Sequence, residues 1–182
     1  MGIDRRTPEA NIREATYEES HGARQMNQKW DKLEEKVEKG ERVTNGDVYE
    51  LTLYATRYMA GRVNKTIASF ESLPSLQQLA VKTQDKLGFE TSLKHDKEEF
   101  LHLVSLAHAA NILANVGKFE TPLQVTKDNE YERNILAEAS SSLKYAVESQ
   151  LLNNRHLHDE KFDAVWSQLA KHLTGNSPTD TE

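Results

Sequence analysis

Apolar residues recur along this chain at steps of three and four, the repeat that places side chains on one face of an α-helix. Met26, Trp30, Leu33 and Val37 form the first clear seam, with coiled-coil-like spacing. The helix that carries them is predicted from Pro8 to Lys39, where Gly40 supplies a residue suited to end it. Followed toward the N-terminus, the seam meets Gly22 or Ala23, then Glu19, Ala15 and Ile12, so Gly22 and Glu19 interrupt the stripe. The first turns are therefore expected to fray or to await a partner, and residues 1–40 to form a long amphipathic helix partly detached from a core bundle at 44–174.

Thr44-Asn45-Gly46 predicts a turn, and Asp47 with Glu50 has the spacing of a helix N-cap and its reciprocal partner. The second helix then runs to about Ser72, burying Leu51, Tyr54, Ala55, Tyr58, Met59, Val63, Ile67 and Phe70. Pro74 opens a short third helix through Leu76, Leu79, Ala80 and Leu87, stopped at Gly88. The fourth, Asp96 to Val116, has Phe100, Leu101, Leu103, Val104, Leu106, Ala107, Ala110, Ile112 and Leu113 around nearly its whole circumference. Such a helix is expected at the centre of a bundle.

A fifth helix is predicted from Asp128 to Asn153, where the small Ala139-Ser140-Ser141-Ser142 stretch permits a close helix crossing. A sixth, from Asp159 to Leu173, places Phe162, Val165, Trp166, Leu169 and Leu173 on one face. The polar remainder, 175–182, is expected to be a disordered tail. The four prolines fall at predicted helix starts or in connections, and no alternating β-branched run predicts a strand. No signature recurs at a fixed period, so a helical solenoid is not supported. The expectation is an all-α, single-domain bundle of about six helices over residues 1–174.

Composition refines this picture. At 182 residues the chain is long enough to bury a core, and its 29% charged content suits helices with wide solvated faces. There is no cysteine, which removes disulfides, thiolate metal sites and thiol nucleophiles. The net charge is −6. A mildly basic middle, residues 51–94, lies between acidic flanks, and no Lys/Arg cluster exceeds the Arg5-Arg6 pair, which makes nucleic-acid binding the weaker option. No run is long and apolar enough for a membrane span, and Met1 to Thr7 lacks the core of a secretory signal. Gly2 does not open a myristoylation site, because Arg6 stands where Ser or Thr is wanted. The expected setting is cytoplasmic or otherwise intracellular, with a secreted effector still open.

Phosphate loops, nucleophile elbows, His-Glu-x-x-His and calcium loops are all missing. One constellation deserves weighing: Glu-x-x-His occurs as Glu18/His21 and Glu99/His102, with Glu50 and Glu138 on other predicted helices. Carboxylate-bridged di-metal bundles use this spacing, because residues three apart share a helix face. With 20 Glu and 7 His in the chain, chance alone produces such pairs. Asp96 and Glu99 also have the spacing of a capping pair, which makes Glu99 a helix cap. His108 reads as a core or boundary residue, and His156 and His158 as part of a polar connection. Tyr49, Tyr54 and Tyr58 near Arg57, Arg62 and Lys65 resemble a single-strand binding surface only superficially, since Tyr54 and Tyr58 lie on the apolar stripe. The expected function is thus non-enzymatic protein–protein interaction without a cofactor: an adaptor, regulator or assembly component using Met26, Trp30, Leu33 and Val37 toward a partner or a second copy. The same seam would equally close the chain's own bundle. The alternatives are a metal-binding bundle and a nucleic-acid-binding regulator using the basic middle.

Overall fold

The computed structural model describes residues 7–71, 90–116, 130–151 and 159–174, with side chains for 7–68, 97–114, 130–150 and 159–174. Among them stand five helices and no strand: α1 (Pro8–Glu38), α2 (Asn45–Glu71), α3 (Glu90–Val116), α4 (Glu130–Leu151) and α5 (Glu160–Thr174). The all-helical class expected from the periodicity is what the chain adopts. The predicted fourth, fifth and sixth helices are α3, α4 and α5, whereas the expected short helix at Pro74 to Leu87 and the expected tail at 175–182 lie outside the described residues.

The helix ends follow from local chemistry. Thr7 caps α1, its hydroxyl accepting the Ala10 N–H at 3.2 Å, and Pro8 occupies the first turn, where its missing N–H costs nothing. At the other end Gly40 takes φ +76°, its N–H donating to Val37 O (3.0 Å) while the Glu41 N–H donates to Lys36 O (2.9 Å), the paired pattern of a Schellman cap. At α2 the expected N-cap is corrected by three residues. Thr44 is the cap, its hydroxyl accepting the Asp47 N–H at 3.2 Å, and the Asp47 carboxylate accepts the Thr44 N–H at 2.9 Å in return. Asp47 is the reciprocal partner in this box, and Glu50 pairs with Lys29 instead. Asp159, where the last helix is expected to begin, caps α5 by accepting the Phe162 N–H at 2.8 Å.

α1 and α2 form an antiparallel hairpin with the most extensive contact in the molecule. Gly22 and Gly61 set how close it comes. A Cβ on Gly22 would stand 2.5 Å from Tyr58 N, and one on Gly61 would stand 2.3 Å from Glu19 N, so each helix backbone rests on the other at these points. Gly22 is therefore the crossing point of the seam, and the interruption expected there is corrected: α1 buries Ala15, Gly22, Met26, Trp30 and Leu33 in succession. Ion pairs flank the crossing. Lys29 and Lys36 meet Asp47 at 2.8 and 2.7 Å, Lys65 meets Glu19 at 3.2 Å, and Arg57 donates to Glu18 at 3.1 Å.

The expectation that the most apolar helix lies at the centre is also corrected. α2 touches all four other helices, whereas α3 packs on α2 and α4 and turns its remaining side outward. The core joins Trp30 and Leu33 of α1 with Leu51, Ala55 and Met59 of α2, Leu106 and Leu113 of α3, Leu136 and Leu143 of α4, and Phe162 and Leu169 of α5. The Trp30 and Phe162 rings lie 5.0 Å apart, tying the first helix to the last.

Candidate interaction surface

The seam residues singled out for a partner are occupied within the chain. Met26, Trp30 and Leu33 are at most 2% exposed, and Val37 is half-buried against the same core. The indole N–H of Trp30 donates to Glu34 at 2.9 Å, so even its polar edge has a partner on α1. Of the two roles open to this stripe, the folded chain displays closure of its own bundle.

The six residues of the metal reading are dispersed. Glu18 pairs with Arg57, which holds the Glu18 carboxyl below its ordinary range, and His21 stacks on Tyr17 with centroids 5.5 Å apart. Glu50 pairs with Lys29 at 2.6 Å, and Glu138 is exposed on α4. Glu18 with His21 on α1 and Glu99 with His102 on α3 are each neighbours within one helix turn, but the two pairs are not brought together. Among the described residues no group of three or more His, Cys, Asp or Glu side chains stands where it could hold a metal ion.

Glu99 has a different role from the cap expected of it. α3 begins at Glu90, so Glu99 lies well inside the helix and cannot satisfy its terminal N–H groups. Its buried carboxylate pairs with Arg62 of α2 and accepts the Tyr145 hydroxyl of α4 at 3.4 Å. Arg62 also donates to Tyr58 Oη at 2.7 Å. Burial opposes the Arg62 charge, but the bond to Tyr58 and the nearby Glu99 outweigh it, and Arg62 remains protonated. Three helices are thus registered by one polar cluster.

His102 lies one helical turn further along. Its ring stacks on Tyr145 at 4.5 Å, and its Nδ1 is 2.8 Å from Ser142 Oγ. Burial pushes the His102 pKa down, against the opposing pull of Glu98 and Glu99, so the ring is neutral at pH 7. A serine and a histidine at this distance have the geometry of a nucleophile and its base. Ser142 is only 3% exposed, however, and a buried hydroxyl has no route to a substrate. The pair reads as a hydrogen bond between α3 and α4 at the small-residue stretch, where the sequence led us to expect a close crossing.

The tyrosines near the basic middle are similarly occupied. Tyr58 is 1% exposed, Tyr49 and Tyr54 are half-buried against the core, and Arg57 and Lys65 face carboxylates of α1. Charge that looked available to a polyanion is spent on holding the hairpin.

Exposed large apolar side chains occur singly at Tyr17, Leu53, Ile67 and Tyr131, and as an adjacent pair on α3. Phe100 is 52% and Leu101 62% exposed, and Ala107 and Ala114 continue the exposed side with Lys97, His108 and Asn111. These positions follow helical spacing around Val104, opposite the buried Glu99, Leu106, Ala110 and Leu113. The wheel of this helix could not locate that side, because its apolar residues occupy both faces. Nothing but the packing of α2 and α4 decides which of them is buried.

No protein-family model, curated protein or solved structure matches the chain. What the fold and its surfaces define is a helical bundle with interlocked internal polar groups and an apolar outward stripe. No described helix is long and apolar enough to cross a membrane.

Proposed function

We propose that the chain is a non-enzymatic interaction module that self-associates through the outward face of α3, two copies packing antiparallel about a twofold axis at Val104. The observation that carries this reading is the exposure of Phe100 and Leu101 on a helix whose opposite side is fully packed. Contiguous apolar surface of this kind marks contact sites in soluble proteins.

Self-association is favoured over a foreign partner by the order of residues along the stripe. A twofold axis at Val104 sets Leu101 against Ala107, Phe100 against His108 and Lys97 against Asn111, so large side chains oppose small or planar ones. Such self-complementarity is what an isologous interface requires. Charge permits it as well: copies carrying −6 repel one another, yet the stripe holds Lys97 with Glu98 at its border and no charge excess.

Because the chain lacks cysteine, a single introduced thiol is an unambiguous probe. Val104→Cys is expected to form a disulfide-linked dimer under mild oxidation, since facing helices bring Cα atoms on the axis within disulfide reach. Arg13→Cys, exposed on α1, serves as the control. Sedimentation velocity should show a concentration-dependent dimer that Leu101→Glu abolishes. A chain that stays monomeric at high concentration, with Val104→Cys cross-linking no faster than Arg13→Cys, would overturn the reading.

A further inference from the structure

We propose that Asn45 is a deamidation site that α5 keeps closed, its carboxamide reacting with the Gly46 backbone nitrogen only when the corner between α1 and α2 opens. Asn45-Gly46 is the one Asn-Gly pair in the sequence. In such a pair no side chain shields the attacking nitrogen, and the glycine backbone turns readily into the cyclic imide. The bond from Gly46 N to Asn45 Cγ forms as the Cγ–Nδ2 bond breaks, and the Gly46 amide proton departs with ammonia. A water molecule then opens the ring at either carbonyl, leaving an aspartate or an isoaspartyl link.

Nothing in the packing demands glycine here. Gly46 lies in the first turn of α2, is exposed, and a Cβ on it would meet only Thr44 Oγ1, at 3.6 Å. Among the described glycines a positive φ belongs to Gly40 and not to Gly46. Glycine also weakens a helix relative to alanine. What it supplies at this position is access to its own nitrogen.

Two helices hold the reaction off. Asn45 is 2% exposed, and its carboxamide lies against Nδ1 of His172. The same ring meets the Val43 carbonyl through Nε2 at 2.8 Å, and Gln168 Oε1 accepts the Val43 N–H at 2.9 Å. Two α5 side chains one turn apart thus clasp the buried corner that runs into Asn45. Attack also requires the Asn45 backbone to rotate until Gly46 N faces Cγ. The first hydrogen bond of α2, from Val48 N–H to Thr44 O at 3.1 Å, closes its turn across that rotation.

The chemistry runs one way. An isoaspartyl link adds a methylene to the main chain between residues 45 and 46, inside the span over which Thr44 and Asp47 cap each other at 3.2 and 2.9 Å. A corner that reacts while open does not recover that register, so each release of α5 that leads to reaction is recorded covalently, with an added negative charge.

The test is to incubate the full chain at mildly alkaline pH and follow tryptic peptide 43–57, in which Asn45 is the only asparagine. Mass reports the exchange of amide for acid, and separate elution reports the isoaspartyl isomer. Conversion should be fast in the urea-unfolded chain, slow in the folded wild type, and several-fold faster in folded His172→Ala than in the wild type. Gly61→Ala, which loosens the α1–α2 crossing instead, separates release of α5 from general loss of stability: well below its Tm it should react at the wild-type rate. Equal rates in folded and unfolded wild type, no acceleration in His172→Ala, or equal acceleration in Gly61→Ala would each overturn the proposal. Should His172→Ala fail to fold, Gln168→Ala, which removes the bond to the Val43 N–H, is judged by the same criteria.

Discussion

Replacing Gly61 by alanine pits two opposing effects against each other, and the close approach of α1 and α2 decides the sign. In the interior of a solvated helix the substitution stabilises by about 1 kcal/mol, because alanine orders at a lower entropic cost. Here the new methyl would stand 2.3 Å from Glu19 N and 2.6 Å from Glu19 Cα, and both are backbone atoms that cannot rotate away. Ordinary contact requires the helices to part by about an ångström, which loosens Met26, Trp30 and Leu33 against Leu51, Ala55 and Tyr58. Overpacking of this kind costs about 1–3 kcal/mol even where side chains can adjust, and rigid backbone places Gly61 at the upper end. We expect a net loss of about 2 kcal/mol, a drop in Tm of about 4–8 °C for a chain of this length.

Gly46→Ala is the matched control. Its Cβ would meet only Thr44 Oγ1, at 3.6 Å, so the propensity gain stands unopposed. Thermal denaturation by circular dichroism should therefore move the two variants in opposite directions. Gly22→Ala should resemble Gly61→Ala, and the double variant should lose less than the sum, because the helices need to separate only once. A Gly61→Ala protein as stable as the wild type would refute the backbone contact.

Thr44→Val should destabilise by about 1 kcal/mol in chemical denaturation, since it leaves the Asp47 N–H without its cap. The Asp47 carboxyl is held well below its ordinary range: burial would raise it, but Lys29, Lys36 and the Thr44 N–H together lower it further. Its stabilisation is thus complete above the unfolded value and disappears as pH falls through the folded one, so the stability gap between wild type and Asp47→Asn should narrow progressively as pH falls below about 4. Glu99→Ala should cost about 3 kcal/mol by leaving Arg62 without its carboxylate between helices, measurable as a lowered denaturation midpoint.

What the sequence revealed and what it hid divide along one physical line. Helix type and most helix ends depend on neighbours in the chain, so the Gly40 stop and the start of the last helix at Asp159 were legible from local chemistry. The α2 start was misplaced by three residues because Thr44 and Asp47 both satisfy capping rules, and only the hydrogen bonds show which is the cap and which the partner. Gly22 looked like a flaw in a seam because a glycine carries no apolar side chain. Its contribution is the absence of one, visible only when Tyr58 of the other helix is placed against it. Glu99 could not be assigned from spacing either, since Arg62 and Tyr145, 37 and 46 residues away in the chain, determine what it does.

The same long-range pairings limit where this protein can present a function. Arg57 and Lys65 of α2 face carboxylates of α1, the Met26 to Val37 seam packs on the core, and the Arg62, Glu99 and His102 groups link α2, α3 and α4. Most of the described features that suggested chemistry thereby hold one helix against another. The proposed self-association uses apolar groups that this packing leaves exposed, on the side of α3 bearing Phe100 and Leu101. A bundle held together by its internal polar groups leaves this outer stripe, with Lys97 and Glu98 near its end, free of any part in joining the described helices. Substitutions there should alter association without altering stability, whereas those at Gly22, Gly61, Asp47 or Glu99 should do the reverse.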